Sequence, residues 1–400
     1  MKKRLTATSL VLALLHFSSL AKPSDWWQTY DYSQVSAQVV SRGDDTPILR
    51  GRAVKLDTDE HAISAFYDVG SMNLRYVTLG SIQFKGTPWD GSHGGNSLIG
   101  GELFLQSGTL LAWTENDNWL DPRANDYAPL AKEYVHFKGS YRYNQQAIFH
   151  YTVGTQKAEV YEMPQTFYHQ GQVVFVRHFQ IEATSRPIKL KVLESSSSDL
   201  TPQITLHSPY HAIKSRDIIN NTHLSEIQYI DIPASNQPQA FYIAYAQSKE
   251  LPLIEKEDLL SKLSGGTTRW PQTVKLAGKL ASDENENFVV DQIPLPIDNP
   301  YQSKIRFAGF DFFADGSRAA FSTWNGDVWI ASGLDETLQN VTWKRYAAGI
   351  NEALGIRIVD DIIYVTGKDQ ITRLHDINND GEADYYENFN NDIKITANFS

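Results

Sequence analysis

The sequence predicts an all-β protein. Three observations carry this. Period-2 alternation of apolar and polar residues recurs in short runs, among them residues 62–67, 74–79, 147–153, 173–179 and 188–192. Gly, Asn, Asp and Pro punctuate those runs, with Gly154 and Gly171 as examples. Aromatic residues reach 12%, with 20 Tyr and 9 Trp against 3 Met, a composition suited to pleated, half-buried surfaces.

The first residues read as an export leader. Lys2, Lys3 and Arg4 give a basic start, residues 5–17 are apolar, and Ser19-Leu20-Ala21 offers small residues for a signal peptidase. The run is shorter than the ~20 apolar residues a membrane span needs. Residues 1–21 are therefore set aside as a signal peptide, and a periplasmic or secreted protein is expected. Removing three positive charges takes the net charge from −11 to −14. That disfavours nucleic acid and anionic membrane as partners, since both call for basic patches. There is no Cys, hence no disulfide, thiolate metal site or c-type haem attachment.

The remaining ~380 residues suffice for two or three domains. Many short strands at short intervals argue a β-sandwich-like domain over residues 22–250. Residues 255–263, with Leu259, Leu260 and Leu263 on one side, read as a short helix that Gly265-Gly266 ends. The Pro-rich stretch to residue 300 reads as a linker with one hairpin.

Residues 301–400 hold a repeat. One unit opens at Gly309-Phe310-Asp311-Phe312 and a second at Gly355-Ile356-Arg357-Ile358, 46 residues later. Each continues through two further alternating strands, a period and order that mark β-propeller blades. A propeller closes with at least ~4 blades. The fold expected is thus a sandwich followed by the first two blades of an incomplete propeller, the front portion of a longer protein.

Three motifs could carry chemistry. Asp376, Asn378, Asp380, Glu382, Asp384 and Glu387 fall on the oxygen positions of a twelve-residue calcium loop, with Gly381 at its sharp turn. Bound Ca2+ would be structural; the bland alternative is an acidic solvated turn. Trp89, Asp90 and His93 sit in a Gly-rich segment where Trp89 could stack on a sugar and Asp90 and His93 could move protons. That segment could equally be a turn around a buried histidine. Glu115, Asp117 and Asp121 lie around Trp113 and Trp119 and evoke a carbohydrate site, or a polar loop pinned by two tryptophans. G-x-S-x-G, H-E-x-x-H, P-loop and G-x-G-x-x-G signatures are absent, which argues against serine esterases, zinc hydrolases, NTPases and Rossmann dehydrogenases.

The segments Gly326-Asp327-Val328-Trp329-Ile330-Ala331, Trp343-Lys344-Arg345-Tyr346 and Asp369-Gln370-Ile371-Thr372-Arg373-Leu374-His375-Asp376 resemble the opening blades of large secreted bacterial proteins. Those proteins carry a propeller similar to soluble glucose and sorbosone dehydrogenases, often followed by a cytochrome c or haem-binding domain. Asp90-Gly91-Ser92-His93-Gly94, Asp121-Pro122-Arg123, His136-Phe137-Lys138-Gly139 and Gly265-Gly266-Thr267-Thr268-Arg269-Trp270-Pro271 resemble the uncharacterised domain and linker that precede that propeller. The resemblance implies a quinoprotein-like sugar dehydrogenase passing electrons to a cytochrome. PQQ or haem would lie beyond this stretch, which is expected to be inactive in redox chemistry by itself. The resemblance transfers no catalytic residue. A noncatalytic carbohydrate-binding or scaffold protein of the periplasm or cell surface, engaging a glycan, is the alternative.

Overall fold

The structure is a computed structural model. It describes residues 30–40, 47–58, 61–92, 96–196, 204–220, 223–281 and 289–395. The expected signal peptide and His93 lie outside these.

Before residue 250 the chain lays down β1 (Gln34–Val40), β2 (Ile48–Lys55), β3 (Ser64–Asp68), β4 (Asn73–Leu79), β5 (Ser97–Leu98), β6 (Glu102–Gln106), β7 (Trp113–Thr114) and β8 (Val135–Tyr143). Then come β9 (Gln146–Val153), β10 (Ala158–His169), β11 (Gln172–Ile181), β12 (Ile188–Ser196), β13 (Thr205–His207), β14 (Lys214–Asn220), β15 (His223–Ile232) and β16 (Gln239–Ala246). A six-stranded sheet, β5-β1-β2-β3-β4-β6, and a four-stranded sheet, β14-β15-β12-β7, share one core with the strands β16-β11-β10-β9-β8. Alternating residues fill that core, including Phe149, Tyr151, Val160, Phe175 and Ile243, all at most 1% exposed.

The rest of the chain forms β17 (Thr273–Leu276), β18 (Phe307–Phe312), β19 (Arg318–Thr323), β20 (Val328–Ser332), β21 (Val341–Ala347), β22 (Gly355–Val359), β23 (Ile362–Thr366), β24 (Ile371–His375) and β25 (Tyr385–Asn390). β18 to β21 make one antiparallel meander and β22 to β25 a second, each in blade-like order. Ala320, Val328, Ile363, Val365 and Leu374 pack between the two. The first blade's other face carries Trp329 and Trp343, and it is covered by Val274, Leu276, Ile293 and Ile305. The protein is all-β with blade-like sheets; among the described residues no helix is long and apolar enough to cross a membrane.

The last strand of the second blade does not end that sheet. β25 pairs antiparallel with β8 through Tyr385↔Tyr141, Tyr386↔Ser140 and Glu387↔Gly139, so blade and sandwich share one ten-stranded sheet. Gly139 has φ +144, and a Cβ there would lie 2.5 Å from the Tyr386 carbonyl oxygen, so the crossing needs bare backbone. Cross-strand rings stitch the seam. Tyr141 stacks on Tyr385 at 4.1 Å across the seam, and the stack continues on the blade side with His375, 5.7 Å from Tyr385.

The helix expected over residues 255–263 is not formed. A single 3-10 turn, Leu260–Lys262, stands there instead. Leu259 is fully buried against Ile148 and Met163, and the Gln180 side chain accepts its N–H at 3.3 Å. Tertiary anchoring wins because a nine-residue helix must offset its own nucleation cost.

His178 on β11 gives this fold a pH signature. It is 2% exposed, and burial pushes its imidazole down to about 4. Below the ordinary histidine range the unfolded chain takes a proton that the folded chain refuses. Stability is therefore complete above pH ~6.5 and falls towards pH 4, by about 3 kcal/mol from this group. Urea titrations between pH 7 and 4 are expected to show a shallower loss for His178→Gln than for the parent.

Candidate functional site

A cleft of roughly 480 Å³ opens at the sandwich rim between the first described segment and the loop after β4. The edges of the buried rings Tyr30, Tyr32 and Phe84 border it on one side, and Lys55, Gln83, Lys85 and Asp90 form its polar side. The rings brace each other. Phe84 stacks on Trp89 at 4.0 Å, Tyr30 meets Trp89 edge-on at 5.3 Å, and Tyr32 meets Phe84 at 5.8 Å. Tyr32 and Lys55 also border a second cleft of roughly 240 Å³ with Asp57, Gln145, Gln146, Gln165 and Arg269. The two clefts therefore form one groove. Lys55 pairs with Asp57 at 3.2 Å, and Arg269 is held by Asp31 and the Tyr32 carbonyl. Gln83, Lys85, Gln145 and Gln146 line the groove with polar ends that have no side-chain partner among the described residues.

The residues singled out in the sequence take different places. Trp89 is 6% exposed and turns into the aromatic cluster behind the groove, so its ring is a brace and not a stacking platform. Asp90 reaches the groove but acts as a loop cap, accepting from the Gly86 N–H at 3.0 Å and the Ser92 N–H at 2.8 Å. Burial works against its charge, yet these bonds hold the carboxyl below its usual range.

The carboxylates around Trp113 and Trp119 are each tied to a fixed partner. Glu115 accepts from the Thr155 N–H and hydroxyl at 3.0 and 2.8 Å. Burial opposes its charge, and the Thr155 bonds and Arg186 overcome that to keep it ionised. Asp117 is 2.5 Å from Lys189, and Asp121 is 2.7 Å from Arg123. Trp113 and Trp119 are 4% and 1% exposed. A general acid needs its carboxyl pushed up, and Glu115 is pushed the other way.

The acidic loop after β24 is closed by its own backbone. Asp376 accepts from the Asp380 and Gly381 N–H groups at 3.1 and 2.9 Å, and Asn378 from Asp380 at 3.0 Å. Asp384 accepts from Ile377 and Asn378 at 2.8 and 3.2 Å. Glu382, expected to offer the loop only its backbone carbonyl, turns its side chain inward, accepting from the Arg269 and Trp270 N–H groups at 2.9 and 2.6 Å and facing Arg142 at 3.0 Å. Glu387 lies on β25, bound by Arg373 at 2.6 and 2.8 Å and by His375 at 2.6 Å. The six oxygens expected of a calcium loop are therefore split. Asp376, Asn378, Asp380 and Asp384 share one network, whereas the Glu387 carboxylate is engaged elsewhere. Among the described residues no three His, Asp or Glu side chains are grouped to hold a metal. With both Glu387 oxygens engaged by Arg373 and His375, the arrangement lacks the free bidentate carboxylate of the twelve-residue calcium set. What the loop does hold is the crossing segment 266–270: Asn378 donates to the Gly266 carbonyl at 2.9 Å and Thr268 to Asp380 at 3.1 Å.

Sequence reasoning missed Tyr32, Lys55, Gln145, Gln146 and Arg269. They come from four separate segments, and no local spacing unites them. Comparison with known proteins adds one likeness. Residues 56–162 match a domain of unknown function, DUF6797. No curated protein matches the chain. The matched stretch runs from the end of β2 into β10, so it contains much of the groove's wall while assigning it no activity.

Proposed function

We propose that this chain is a noncatalytic carbohydrate-binding front portion of an exported propeller-type protein, and that the rim groove holds the saccharide. The observation that carries this is the groove's polar lining: the amide and ammonium ends of Gln83, Lys85, Gln145 and Gln146, which have no side-chain partner among the described residues. Converging groups that both donate and accept are what a polyhydroxylated ligand requires. Binding rather than turnover is supported by the pairing of Asp90, Glu115, Asp117 and Asp121, each held by fixed partners.

A second reading, a quinoprotein-like sugar dehydrogenase, is favoured by the two blades, whose inner strands β18 and β22 lie side by side. With no Cys the chain offers no thioether for a c-type haem. An electron-accepting cytochrome would then be a separate partner or domain.

Glycan-array screening of the chain, followed by calorimetry, tests the first reading. Gln146→Ala and Lys85→Ala, both surface changes, are each expected to weaken saccharide binding by about tenfold, the worth of one ligand hydrogen bond. No sugar should be oxidised with an artificial electron acceptor. Turnover by this chain, or binding indifferent to both substitutions, would reject the groove as the site and the noncatalytic assignment.

A further inference from the structure

A third cleft, of roughly 330 Å³, lies between the two blades. Its floor is apolar: Phe313, Ile330, Ile363 and Leu374. Tyr346 borders it, is 7% exposed, and its hydroxyl has no hydrogen-bond partner among the described residues. The ring is packed away while the hydroxyl opens onto the cleft, so its pairing capacity is available to water or to a group that enters.

The rim is acidic. Asp361 and Asp376 border the cleft. Asp361 uses one oxygen to accept the Ala314 N–H at 3.0 Å, and Asp376 holds the Asp380 and Gly381 N–H groups. Each keeps lone pairs. The nearby cations are already engaged. Arg318 is bound by Asp315 at 2.7 Å and lies over the Phe313 ring at 4.3 Å, and the Lys344 ammonium donates to the Asp380 carbonyl. His375 is paired with Glu387. Burial first, and then the charges of Asp376, Asp384 and Asp380, hold the Tyr346 phenol well above its ordinary range, in keeping with a negative local field.

We propose that this inter-blade cleft binds a small organic ammonium ion with an apolar body. The apolar floor takes the body, the Tyr346 oxygen accepts an N–H, and Asp376 supplies the countercharge. An anion would meet Asp361 and Asp376, while the lining cations Arg318 and His375 are already paired with Asp315 and Glu387. A hydrated metal ion gains nothing from the floor, and a neutral polyol would lose its water against four apolar side chains. The site is separate from the rim groove and does not depend on what that groove binds.

The test is calorimetric titration of the full chain with benzylamine at pH 7, beside the uncharged isostere benzyl alcohol and beside calcium chloride. Benzylammonium is expected to bind about tenfold more tightly than the alcohol. Tyr346→Phe keeps the ring and removes only the unpaired hydroxyl, so it is expected to leave the melting temperature unchanged while weakening binding about threefold. Asp376→Asn is expected to abolish the preference for ammonium over alcohol. The proposal is overturned if the alcohol binds as well as the amine, or if both variants bind like the parent. It also fails if calcium binds while benzylamine does not up to about 10 mM.

Discussion

Replacing Asp327 with alanine is expected to cost about 3–5 kcal/mol of folding stability, because it strands a fully buried guanidinium. Asp327 and Arg345 are both 0% exposed and meet at 2.8 Å. Asp327 also accepts from the Tyr30 hydroxyl at 2.5 Å and from the Ser303 hydroxyl. The Trp270 ring lies 4.6 Å from the Arg345 guanidinium. This ion pair thus ties the first described segment, segment 266–270 and the first blade together. Urea denaturation followed by tryptophan fluorescence checks the loss. The double variant Asp327→Leu with Arg345→Met removes both charges and is expected to recover most of it, since a well-packed apolar pair avoids the desolvation cost. A single variant as stable as the parent would show that the pair does not unite these segments.

Glu162→Gln is expected to cost a similar amount, about 3–5 kcal/mol, within the sandwich itself. Glu162 lies in the shared core, 0% exposed, and accepts from Tyr67 at 2.9 Å, Tyr151 at 2.8 Å and Arg177 at 2.7 Å. Arg177 reaches on to Tyr245, whose hydroxyl donates to the Val192 carbonyl at 2.8 Å. The network therefore bridges β3, β9, β10, β11, β12 and β16. Glutamine keeps the shape but leaves Arg177 charged and unmatched. Tyr67→Phe, which removes one donor and no charge, is expected to cost only about 1 kcal/mol. The same denaturation experiment separates the two, and equal effects would mean that charge is not what the site resists losing.

The all-β class was legible in period-2 alternation, because a strand with one face in the core must repeat every second residue. The blade repeat was legible too: the segments at Gly309 and Gly355 fold as equivalent first strands of two meanders. The three leucines after residue 258 misled, since their spacing fits a helix while the surface that buries Leu259 belongs to Ile148 and Met163, over 90 residues away. Local pattern likewise put Trp89, Trp113 and Trp119 in candidate sites; burial, a property of the whole fold, made them core residues.

The sequence by itself determined the all-β class, the blade-like repeat and which residues can carry charge, all legible in local pattern. Tertiary structure alone decided that β25 joins β8, that Glu382 captures the crossing segment while Glu387 is held by Arg373, and that Tyr32, Lys55 and Arg269 meet in one groove. Such partnerships depend on which surfaces exclude water together, and residues hundreds of positions apart carry no local mark of it.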